Sequence, residues 1–78
     1  MSFPNLDGMD GLGQYRDEIL CVSQAVIARK VGVSASRISM LEHGIIPRKK
    51  RIWIQYAKAY GFGRFPNAFL DLAERGRA

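Results

Sequence analysis

A chain of 78 residues with one cysteine and one histidine makes a single small domain that can form no internal disulfide and no structural zinc site, so its stability must come from an apolar core. The net charge of +5 is unevenly spread: from Gln24 to Pro66 nine Lys or Arg stand against one acid, Glu42, while the first 23 residues sum to −3 and the tail from Asn67 to zero. A centre this basic suits a polyanion rather than an acidic or membrane-spanning role, no apolar run approaches spanning length, and the lone thiol fits a reducing, cytosolic compartment.

Residues 1–11, rich in Gly, Asp and Asn, read as a flexible N-terminal arm, and residues 12–75 as one domain. Helical spacing begins at Leu12 and runs through Tyr15, Arg16, Ile19 and Leu20, making one apolar face. Ser23 suits the N-cap of a second helix, in which Ile27, Ala28 and Val31 repeat at helical spacing until Gly32 stops it. Val33 faces inward from the turn. Ser34 caps a third helix whose buried side is Ile38 and Leu41, ended by Gly44 and kept from resuming by Pro47. The basic run Arg48 to Arg51 enters a fourth helix carrying Trp53, Ile54, Ala57 and Tyr60, and Asn67 to Glu74 forms a short fifth with Phe69, Leu70 and Leu72 as its apolar residues. No strand alternation and no internal repeat interrupts this pattern. The fold class is all-α, a compact bundle of about five short helices.

Helix, glycine-centred turn and second helix make a helix-turn-helix arrangement. The segment SQAVIARKVGVSASRISMLEHG, Ser23 to Gly44, resembles the phage repressor and Cro type of helix-turn-helix, the XRE family. The carriers are Ser23 and Gln24 opening the first motif helix, small Ala28 at the helix crossing, Gly32 and Val33 at the turn, Ile38 and Leu41 on the second helix, and Glu42 followed by Gly44. YAKAYGF, Tyr56 to Phe62, looks like the family's continuation. The resemblance spans roughly Leu12 to Phe62 and implies a lambda-repressor-like fold, double-stranded DNA as partner, and a transcriptional regulator that represses by occupying an operator, commonly as a dimer. One departure stands out. Cys21 replaces the family's usual glycine, and Arg16 lies one residue upstream of the Arg that pairs with the closing Glu. Either the first connection differs or the Arg16–Glu42 pair is absent.

The resemblance places the helix around Ala35–Glu42 in the major groove. Ala35 and Ser36 are small enough to bring the backbone close to the groove floor. Arg37 suits guanine, whose O6 and N7 accept both arms of a guanidinium; its competing reading is a phosphate contact alone. Ser36 and Ser39 suit base edges or phosphate, and Ala35 and Met40 suit a thymine methyl, although Met40 also fits a partly buried gap-filler and Ala35 a plain helix former. Phosphate contacts fall to Gln24, at a helix N-terminus, to Ser34, and to Arg48, Lys49 and Lys50; the basic run also reads as a solvated loop or a nuclear localisation signal.

His43, with no second His or Cys at ligand spacing, suits a helix C-terminus better than a metal. Cys21 reads as a small buried hydrophobe. No nucleophile–base pair, paired carboxylates or phosphate loop is present, so the reading is no enzyme, no cofactor and no metal. The aromatic residues after the motif exceed one small core's needs, which assigns Phe65, Phe69 and Leu72 to a homodimer interface. The alternative is an antitoxin-like or other protein-interaction module that keeps the fold.

Overall fold

The computed structural model describes Leu6 and residues 8–77; most of the arm expected at 1–11 lies outside the described residues. Among them the protein is all-helical, with five helices and no strand. Helix α1 begins as an α-turn, Leu12–Tyr15, and widens into a π-turn, Arg16–Leu20. It is followed by α2, Gln24–Val31, α3, Ala35–Glu42, α4, Lys50–Ala59, and α5, Pro66–Arg75.

The helix starts are made as the sequence suggests. The Ser23 hydroxyl accepts from the Val26 N–H and the Ser34 hydroxyl from the Arg37 N–H, each at 3.3 Å. Both bonds satisfy a donor that the first helical turn leaves open. Gly32, at φ +89°, takes the left-handed conformation that lets the Val33 N–H return to the Ala28 carbonyl at 3.0 Å, and α3 starts within three residues.

One core serves all five helices. Leu12, Ile27, Ile38, Ala57, Tyr60, Phe62, Phe69 and Leu72 are fully buried, and Tyr15, Ala28, Leu41, Trp53 and Tyr56 are nearly so. Helix α2 packs on α3 and α4, while α5 packs on α1 and α4. The Phe69 ring sits at the aromatic centre, 5.8 Å from Tyr60, 6.1 Å from Phe62 and 6.4 Å from Trp53 between centroids. Small Ala28, 4% exposed, sits on α2, which lies directly against α3.

The first connection does differ from the family pattern. A π-turn takes about one more residue than an α-turn, and here the Cys21 and Val22 N–H groups both close on the Arg16 carbonyl. The wider turn carries Ile19 out of the apolar face, leaving it 42% exposed. Cys21 itself is exposed, not buried, and is the one described non-glycine residue at positive φ, +55°. It occupies the conformation that glycine adopts cheaply.

The C-terminal tail closes on the end of α3. A Cβ at Gly76 would lie 2.2 Å from the Glu42 carbonyl oxygen, so only glycine fits that approach. Nearby, the Arg75 guanidinium donates to the Leu6 carbonyl and, at 3.1 Å, to that of Met9, tying the described part of the N-terminal segment to α5.

Candidate nucleic-acid interface

Helix α3 is held by two side chains and presents most of the rest. Ile38 and Leu41 anchor it in the core, while Ala35, Ser36, Arg37 and Met40 are exposed and Ser39 is half-buried. The five residues expected at base edges therefore lie on one helix whose buried stripe is separate from them. Met40 is 47% exposed, more surface residue than gap-filler. Together with Arg37 it borders a shallow notch of about 140 Å³ closed by Ile45, Pro47 and Tyr56. At the far end, His43 Nδ1 lies 2.7 Å from the Ser39 carbonyl; a carbonyl only accepts, so this nitrogen carries the proton and caps the helix.

The expected phosphate contacts lie on three separate starts. Gln24 is the first residue of α2 and is half-buried. Ser34 is exposed; its oxygen accepts the cap bond and its O–H remains a donor. Arg48, Lys49 and Lys50 are exposed at the start of α4, where Lys49 is the N-cap residue and no acid stands in the first turn. Cations beside the positive end of a helix dipole are held unfavourably, and an anion there relieves them.

Behind this surface lies a buried polar hub. Glu42 accepts from Arg16 Nε at 2.7 Å and Nη2 at 3.2 Å, from Gln24 Nε2 at 2.9 Å and from the Tyr60 hydroxyl at 2.7 Å. The Arg16 and Glu42 side chains retain only 10% and 6% of their exposure. The Arg16–Glu42 pair is therefore present, and the extra residue of the π-turn is how α1 accommodates it. Arg16 also donates to the Val22 carbonyl at 2.9 Å, which fixes the chain just before α2. Burial alone would raise the Glu42 pKa, but hydrogen bonds from Arg16, Gln24 and Tyr60 outweigh it and hold the carboxyl below its ordinary range. Burial, then the facing carboxylate, pushes the Tyr60 phenol far up, so it stays a donor. Among the described residues no buried side-chain nitrogen or oxygen lacks a partner.

The hub has an electrostatic consequence. Glu42 is the sole acid between Gln24 and Pro66, and it is turned inward and neutralised by Arg16. The nine cations of that stretch, Arg29, Lys30, Arg37, Arg48, Lys49, Lys50, Arg51, Lys58 and Arg64, are all exposed. Their field is thus uncompensated by any carboxylate of the same stretch.

Two of the three residues assigned to pairing cannot reach a partner. Phe69 and Leu72 are fully buried within the chain's own core, Phe69 against Trp53 and Tyr60, because a domain this small draws these residues of α5 inward. Phe65 is 49% exposed. Sequence reasoning did not single out Tyr60 as a polar anchor, since a Tyr at a helical core spacing looks the same with or without a partner for its hydroxyl. Nor did it find Ile45, 58% exposed beside α3. No helix is long and apolar enough to cross a membrane among the described residues. Residues 12–65 match the family of helix-turn-helix domains, whereas no curated protein and no solved structure gave a match.

Proposed function

The chain belongs to the helix-turn-helix domain family, and from that premise we propose that it is a sequence-specific transcriptional regulator of the phage repressor and Cro type. It represses by occupying an operator. The N-terminal part of α3 enters the major groove, where Arg37 reads a guanine, Ser36 and Ser39 meet base edges or phosphate, and Ala35 and Met40 pack on thymine methyls. Gln24, Ser34, Arg48, Lys49 and Lys50 fix the register on the phosphates. Two copies bind an inverted repeat with their α3 helices about one DNA turn apart.

The observation that carries this reading is the exposed, uncompensated charge of the stretch that contains α3. Arg37 on α3 and the eight other cations of the stretch from Gln24 to Pro66 are all exposed, and Ala35, Ser36 and Ser39 on the same helix are small, while the only carboxylate of that stretch is buried. A protein-interaction surface has no need of such a field, whereas a duplex does.

Selection from a randomised duplex library at near-physiological salt tests it, with Arg37→Ala run in parallel. An enriched inverted repeat, with one position per half-site relaxed for Arg37→Ala, is the expected result. Recovery of duplexes without enrichment would reduce the protein to a backbone binder, and failure to retain any duplex at low salt would overturn the reading altogether.

A further inference from the structure

We propose that Tyr60 and Glu42 are positioning residues for the DNA contact made by Gln24, so that the ends of α4 and α3 set the aim of a phosphate-binding group on α2. This inference rests on the proposed DNA-binding function and concerns how one of its contacts is prepared.

The geometry leaves the Gln24 amide little choice. Its nitrogen lies 2.9 Å from Glu42 Oε1, and only the nitrogen end can face a carboxylate, since the amide oxygen would be repelled. An amide nitrogen carries two hydrogens. Committing one to Glu42 fixes the plane of the amide and leaves the second for another acceptor, at the first position of α2, on a side chain only half-buried. That hydrogen and the open backbone N–H groups of the same helix start suit one anionic oxygen.

Glu42 is in turn fixed from the other sides. Tyr60 donates to Oε2 at 2.7 Å, and Arg16 Nε donates to the same oxygen at 2.7 Å. With Oε2 held twice, Oε1 is presented to Gln24 and Arg16 Nη2. The Arg16 guanidinium, which also pairs with the exposed Asp17 at 2.8 Å, offsets the charge of the Glu42 carboxylate that Gln24 faces. Without the Tyr60 hydroxyl Oε2 keeps only Arg16 Nε, and the hold on the plane of the Gln24 amide loosens. Preorganisation of this kind removes side-chain ordering from the cost of binding.

A double-mutant cycle separates positioning from mere stability. Tyr60→Phe keeps the ring packed on Phe69 and removes only the hydroxyl; Gln24→Ala removes the contact. Affinities are measured for a labelled duplex drawn from the selection above, and thermal unfolding is followed for every variant. Tyr60→Phe should weaken binding about threefold or more when Gln24 is present, and leave it unchanged in the Gln24→Ala background. The loss in Tm should be similar in both backgrounds. Because the amide is neutral, plots of log K against log salt should stay parallel throughout. Equal weakening in both backgrounds, or a Tm loss with unchanged affinity, would overturn the inference while leaving DNA binding intact. No binding by the unchanged protein would overturn the functional reading and the inference together.

Discussion

Arg37 is exposed in the first turn of α3, and its own N–H is engaged by the Ser34 cap, so its side chain is free of structural duty among the bonds of that turn. Arg37→Ala should therefore leave Tm within about 2 °C of the unchanged protein while removing roughly 1–3 kcal/mol of discrimination at one base pair. Competition between duplexes that differ only at that pair measures the loss. Glu42 is the opposite case. Removing its side chain leaves Arg16, at 10% of its exposure, with only the solvent-exposed Asp17 as a counter-charge. Glu42→Ala should cost about 3–5 kcal/mol, a large part of a small domain's stability, and lower Tm by roughly 12 °C or more. The same carboxyl makes the fold sensitive to acid. Its folded pKa lies below its ordinary value of 4.5, so its stabilisation is complete above that value and is lost as pH falls through the folded pKa. Urea unfolding should show stability declining below about pH 4.5, and Glu42→Gln, which has no carboxyl to titrate, should flatten that part of the curve.

At the scale of elements, the helix starts and stops were legible because they rest on local chemistry. Ser23 and Ser34 are capping hydroxyls wherever a helix follows them, and Gly32 takes its left-handed turn with no help from the rest of the chain. The exposed face of α3 was legible for the same reason, since Ile38 and Leu41 leave only one side of an eight-residue helix to the core. Two things were not legible. The π-turn at Arg16–Leu20 breaks the helical spacing that puts Ile19 inside, and it accompanies a tertiary bond that local spacing does not reveal, from Arg16 to Glu42, 26 residues away. Phe69 and Leu72 were assigned outward because counting aromatics does not reveal how much ring surface one core absorbs. The misfit at Cys21 makes a prediction. An L-residue held at φ +55° costs about 1–2 kcal/mol, against an entropy cost of about 0.5–1 kcal/mol for introducing glycine. Cys21→Gly should raise Tm by roughly 2–6 °C in a thermal scan, whereas Cys21→Ala, which removes the thiol and keeps the Cβ, should not.

Across the whole molecule, the charge is sorted by segment rather than balanced locally. The first 23 residues are net negative, the stretch from Gln24 to Pro66 is net +8, and the buried hub consumes that stretch's only acid. Such a surface binds a duplex largely by releasing its counterions, so the salt dependence counts phosphates. If each copy neutralises about five, log K should fall against log salt with a slope near −4.5 per copy, and near −9 when two copies occupy an inverted repeat. Titration on an intact and a half-site duplex fixes which applies, because stoichiometry and slope must double together. Arg48→Ala, Lys49→Ala and Lys50→Ala should each flatten the slope by about 0.9 per copy and weaken selected and unselected duplexes alike, since a phosphate carries no sequence. Arg37→Ala distinguishes its two readings on the same plot. A bidentate guanine contact leaves the slope nearly unchanged and erases a base preference, whereas a phosphate contact flattens the slope and leaves the preference whole. A flat slope for the unchanged protein would mean that the nine exposed cations meet no phosphate backbone, and the basic stretch would then need another polyanion.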